Sequence, residues 1–213
     1  MTSPPGGENR RRRPVAVPIA ALVVATGLGV TAAFGGLAEA PKEPPKQLGP
    51  GASLNQGEFT TKFVESRTVF QADPFGGTGK RFLELVMEVT NTGEETAQVG
   101  FPWYEKKEGL SFGAGLLKMT PEIKSPYGPL TSVSGDSVPG RQLHPGVTST
   151  VVVRYELTGG QHPPKQVKLD VGTFEFNEGF TQNFGWVLVK DDPEGPPTVA
   201  AQVTLPVRQK ETT

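Results

Sequence analysis

Between Arg81 and Gly93 the chain reads RFLELVMEVTNTG, and polarity alternates residue by residue. Leu83, Leu85, Met87 and Val89 are apolar, whereas the positions between them include Glu84, Glu88 and Thr90. A period of two is what a strand with one buried face and one wet face requires. Leu85 and Met87 are therefore expected in a core, and Glu84 and Glu88 in solvent. Asn91-Thr92-Gly93 tolerates the backbone of a tight turn. Thr96 to Trp103 then alternates again, with Ala97, Val99, Phe101 and Trp103 on one side. The two runs predict a β-hairpin at the centre of an all-β domain.

Similar patterns recur downstream. Phe59 to Phe70 mixes Thr, Val and Phe, and its apolar parity shifts between Phe63 and Phe70, which predicts a bulge. A short strand is expected near Leu116 to Met119 within an otherwise Gly- and Pro-rich stretch from Glu105 to Gly140. Val151, Val153, Tyr155 and Leu157 share one face, as do Val167, Leu169 and Val171, then Phe184, Trp186 and Leu188. The last run alternates Val199, Ala201, Val203, Leu205 and Val207 with polar residues. Turns are predicted at Asp73 to Gly77, Leu143 to Gly146 and Gly159-Gly160. Seven or eight short strands at this spacing predict an immunoglobulin-like two-sheet sandwich over residues 57–208, although periodicity alone leaves a barrel open. Residues 209–213 read as a disordered tail.

The N-terminus departs from this pattern. Residues 1–13 form a polar tail ending in Arg10 to Arg13, and Pro14 to Ala38 contains no charged residue. Such a run would extend about 37 Å as a helix, against a hydrocarbon core of about 30 Å. Arginines on its N-terminal flank orient it with that end in the cytoplasm. The reading is a signal-anchor transmembrane helix over 14–38, with the following domain extracytoplasmic. The alternative is a secreted protein, cut by signal peptidase after Ala40 at Ala38-Glu39-Ala40. The long apolar run and Pro41 at the new terminus argue against it. Ala21, Ala25, Gly29 and Ala33 recur every four residues, a spacing that Ala/Gly-rich helices also produce by chance. Residues 39–56 carry Pro41, Pro44, Pro45 and Pro50 and read as an extended linker.

Composition narrows the chemistry. The 213 residues include no cysteine, which excludes a disulfide framework, a thiolate nucleophile and a zinc–sulfur site. Net charge is −1, and residues 41–213 hold 17 basic and 20 acidic side chains, a balance unlike that of a nucleic-acid surface. His144 and His162 are the two histidines, and both adjoin prolines in predicted turns. Neither the spacing of a metal site nor a nucleophilic triad can be assembled around them. Asp191, Asp192 and Glu194 offer carboxylates suited to a hard cation such as Ca²⁺, but acidic turns are more often simply solvated. Gly76 to Lys80 imitates a phosphate loop without its full spacing. No catalytic residue and no cofactor are assigned.

The remaining signal is aromatic. Phe174, Phe176, Phe180, Phe184 and Trp186 crowd one stretch, and Phe101, Trp103 and Tyr104 another. Most should fill the core. Phe180 is the exception, because it stands alone in the polar segment Asn177 to Asn183 and could serve as a recognition anchor for a protein or glycan.

Two stretches carry a resemblance: Phe82 to Gly93, and Leu143-His144-Pro145-Gly146 leading into Val151 to Leu157. In these the chain resembles the immunoglobulin-like domains of unknown function on Gram-positive surface proteins and lipoproteins. Those domains are similar in fold to a mycobacterial secreted immunogenic antigen. The resemblance implies a sandwich fold and an envelope location, and carries no catalytic residues; the lipobox cysteine of many members has no counterpart here. The expectation is a non-enzymatic binding or structural protein of the cell envelope, with an unknown envelope protein or glycan as partner. The rival from another class is an envelope hydrolase.

Overall fold

The computed structural model describes residues 43–99, 115–126, 128–134, 140–178 and 184–209. The segment 14–38, the basic tail, the residues Phe101, Trp103, Tyr104 and Phe180, and nearly all of the C-terminal tail lie outside them. The described chain is all-β, with no helix; accordingly, none of it is a helix long and apolar enough to cross a membrane.

In chain order the strands are β1 (Lys46–Leu48), β2 (Ser53–Asn55), β3 (Phe59–Gln71), β4 (Lys80–Asn91), β5 (Ala97–Gln98), β6 (Leu116–Thr120) and β7 (Leu130–Ser134). Then follow β8 (Gln142–Leu143), β9 (Thr148–Leu157), β10 (Gln166–Val171), β11 (Phe174–Glu178), β12 (Phe184–Leu188) and β13 (Ala201–Gln209). Nine form one mixed sheet in the order β6-β10-β13-β3-β4-β9-β7, with β1 on β13 and β2 on β3. This exceeds the predicted count, because three-residue strands such as β1 and β2 present too few residues for an alternation to register. β1 and β2 also correct the linker boundary. Lys46 to Leu48 pair in parallel with Ala201 to Val203, and Ser53 to Asn55 pair with Thr60 to Lys62, so the domain begins well before Gly57.

β13 turns the sheet. Its first six residues run antiparallel to β10, and Val207 to Gln209 run parallel to β3. Pro206, at the handover, has no N–H to donate, and its carbonyl accepts the Ser66 hydroxyl at 3.1 Å. A single core cluster collects Leu116 and Met119 from β6, Val133 from β7 and the inward residues of every long strand between them. The sheet therefore curls around one interior. The predicted bulge is present: the β3–β4 register shifts between Phe63 and Glu65.

β4 is central, as expected, but its partners differ from the prediction. It pairs with β3 and β9 along almost its whole length, and Ala97-Gln98 pair with β8 instead of folding back on it. The turn after β4 is closed by a side chain, with Asn91 Oδ1 accepting the Gly93 amide at 2.8 Å. Leu83, Leu85, Met87 and Val89 are buried as predicted. Glu84 is not exposed: it retains 2% of its surface. Two flanking strands explain this correction. Arg67 on β3 and Arg154 on β9 stand in register with Glu84 on either side, and they lay their stems and guanidinium groups across it. Arg67 Nε donates to Glu84 Oε2 at 2.9 Å, and Arg154 Nε and Nη2 donate to Oε1 at 2.9 and 2.5 Å. The Arg154 guanidinium also sits 4.9 Å from the centre of the Phe82 ring. Burial disfavours the charge on Arg67, but hydrogen bonds and attraction from Glu84 and then Glu65 outweigh it and raise its pKa. Glu88 is partly exposed and pairs with Lys62 at 2.9 Å.

Candidate functional site: an aromatic and acidic cleft

The β11–β12 hairpin lies outside the main sheet and is fastened to it at its base. The Phe174 amide donates to the Gln56 carbonyl at 2.6 Å, and the Phe174 ring meets Phe59 edge to face at 5.6 Å. The buried Gln56 donates its own amide to the Gly172 carbonyl at 2.7 Å. Gly57 makes the close approach possible. Its φ is +90°, and a Cβ there would run into the Phe174 carbonyl and stand 3.2 Å from the Trp186 ring.

On the facing side, residues 91–97 are held by one buried asparagine. Asn91 Nδ2 donates to the carbonyls of Glu95 at 2.7 Å and Leu143 at 2.9 Å. Thr92 ties the same segment to the β2–β3 turn, its hydroxyl donating to the Gly57 carbonyl at 2.6 Å and its amide to the Glu58 carbonyl at 2.8 Å. Both walls thus rest on residues 56–59.

Between these walls is an open cleft of about 630 Å³. Phe176 and Trp186 are cross-strand partners and line it with ring centroids 5.5 Å apart and planes at 73°. Phe176 keeps 52% of its surface exposed. Glu58, Glu94 and Glu95 also line the cleft, and none of its lining residues among those described is Lys, Arg or His. Burial alone pushes the Glu58 carboxyl up to about 7. Among the described residues, no hydrogen bond or ion pair reaches that carboxyl.

The residues singled out from sequence fall elsewhere. His144 and His162 are exposed, and Thr96 Oγ1 lies 2.9 Å from His144 Nδ1. Asp191 accepts the Thr198 hydroxyl at 2.9 Å, while Asp192 Oδ1 accepts the Glu194 amide at 3.1 Å and closes a turn. No three His, Asp or Glu side chains are gathered to hold a metal ion among the described residues. Gly76 to Lys80 form the β3–β4 turn and the start of β4, as expected. Phe176 and Trp186 were expected in the core, and the structure moves both to the surface cleft. Glu58, Glu94 and Glu95 carried no sequence signal, because folding the hairpin back onto β3 is what brings them beside aromatic rings. Comparison with protein-family models, curated proteins and solved structures finds no match to the chain.

Proposed function

We propose that this chain is a membrane-anchored, extracytoplasmic immunoglobulin-like domain that acts at the bacterial envelope as a recognition module. In this reading the curled sheet is a two-layer sandwich bridged by β13, one layer built on β6 and β10 and the other on β3, β4, β9 and β7. The resemblance of Phe82 to Gly93 and of Leu143 to Leu157 to envelope domains supports it, since these stretches become β4 and the turn into β9. Arg10 to Arg13 ahead of an uncharged run support the orientation.

The observation that carries the binding role is the cleft, where two aromatic rings and a carboxyl with no partner among the described residues line open space on a hydrogen-bonded base. A photoreactive phenylalanine analogue at position 176, illuminated in intact cells, should yield adducts with envelope protein or glycan. Those adducts should disappear when Trp186→Ala is added. Adducts only with cytoplasmic components, or adducts indifferent to Trp186, would refute the role. If the mature chain begins at Pro41, the module is secreted instead of anchored.

One observation favours a hydrolase instead. A carboxyl that keeps its proton to about pH 7 is suited to general acid catalysis. Release of reducing ends or peptides from purified cell wall, abolished by Glu58→Gln, would replace the binding role with that one.

A further inference from the structure

We propose that the cleft is a site for an organic cation, an alkylammonium group seated against Trp186 and Phe176 with Glu58 as its counter-charge. The inference rests on reading the cleft as a binding site and specifies the ligand's chemistry.

Three observations lead to it. The first is charge, since among the described residues the lining holds three glutamates and no basic side chain. An anion entering there would meet like charge from Glu58 on one side and from Glu94 and Glu95 on the other, whereas a cation meets only attraction. The second is shape. The Phe176 and Trp186 planes meet at 73°, which makes a corner and not a flat platform. Sugar rings favour a broad face, while a compact ammonium head can touch both rings in a corner and draw on the negative potential of each π face. The third is an unmet requirement. Glu58 is half-buried, with no partner among the described residues, and Thr92 and the Glu58 backbone fix its place in the floor. A cation in the corner supplies the missing charge.

A pH dependence accompanies this assignment. Among the described residues, the charged groups that line the cleft with Glu58 are Glu94 and Glu95; the hairpin wall contributes Phe176, Gly185 and Trp186, none of which titrates. With the Glu58 carboxyl near 7, ionisation is largely incomplete at pH 6 and largely complete at pH 8. Affinity for a permanent cation should therefore rise roughly tenfold between them, and binding at pH 6 should release a proton.

The two tryptophans make a direct test available. The full chain, in non-ionic detergent and labelled at the indole nitrogens, gives two indole signals, and Trp186→Phe identifies one. Choline and Nα-acetyl-lysine amide are titrated separately at matched ionic strength. Both should shift the Trp186 signal, which is the one read. A tighter fit for choline indicates a free quaternary amine, and a tighter fit for the lysine amide indicates a lysyl side chain on a polymer. Glu58→Gln should weaken binding at pH 8 at least fivefold and remove the pH dependence, with an unchanged circular dichroism spectrum. If a neutral N-acetylglucosamine oligomer shifts the Trp186 signal and neither cation does, the cation assignment is overturned while the cleft remains a binding site. If nothing shifts it, both fall.

Discussion

Replacing Glu84 by Gln tests whether a carboxylate on the outer face of β4 organises its neighbours. The substitution keeps size and shape while removing the charge that two guanidinium groups share. Glu84 receives three charge-assisted hydrogen bonds from Arg67 and Arg154, a kind of bond each worth about 1.5–3 kcal/mol. Breaking a fully buried pair costs about 3–5 kcal/mol. Here the cost falls at the lower end. The Arg154 side chain is 38% exposed and can rehydrate, and Arg67 keeps Glu65 at 2.9 Å. About 3 kcal/mol is expected, or roughly 6–12 °C in Tm for a domain of this size. Thermal melts of the full chain in non-ionic detergent, followed by circular dichroism, read this directly. Leu85→Ala, which empties a fully buried site, supplies the scale at about 2–5 kcal/mol. A loss below about 0.5 kcal/mol for Glu84→Gln, as at an ordinary solvated position, would refute the argument. Combining it with Arg154→Met should give clear non-additivity, since the two residues share one network.

Three further outcomes follow from the site. Asn91→Ala should cost about 2–3 kcal/mol in the same melts, because it strands the buried Leu143 carbonyl and releases residues 91–97; an unchanged Tm would mean that the cleft wall is held by something else. Gly57→Ala should lower stability by at least about 1 kcal/mol and alter Trp186 fluorescence, because the new methyl group meets the Phe174 carbonyl in a left-handed backbone; wild-type fluorescence would contradict the close approach. Stability should also fall as pH rises from 4.5 to about 7. The folded chain holds the Glu58 proton across that window, and the unfolded chain, titrating at 4.5, does not. The group is partly exposed, so the effect is modest, and Glu58→Gln should flatten this part of the pH profile.

The sequence spoke most clearly where one side of a strand is core and the other is water. Val151, Val153, Tyr155 and Leu157 on β9 and Val167, Leu169 and Val171 on β10 lie where alternation put them. Alternation misled on the other face of β4, because arginines from β3 and β9 bury Glu84 and no local pattern reports what neighbouring strands contribute. It also said nothing of pairing. Thr96 to Val99 alternates well enough to suggest a hairpin with β4, yet Asn91 turns the chain aside and β8 takes up Ala97-Gln98. The cleft was half legible. The aromatic crowding of Phe174 to Trp186 was visible, but which rings were buried depended on the hairpin standing apart from the main sheet. Glu58 gained its character only from being enclosed by residues more than 30 positions away.

The absence of cysteine from the sequence lets location and occupancy of the cleft be tested together. Phe176→Cys places a thiol at the mouth of the cleft, and Phe75→Cys places one at the β3–β4 turn, at the opposite end of β4, where Phe75 is 96% exposed. Each variant is labelled with a membrane-impermeant maleimide in intact protoplasts and again after purification. Both should label without lysis, and residue 176 alone should label more slowly on cells than in purified protein, because the cleft is occupied there. Labelling of either thiol only after lysis would contradict the location, and equal slowing of both would contradict the cleft.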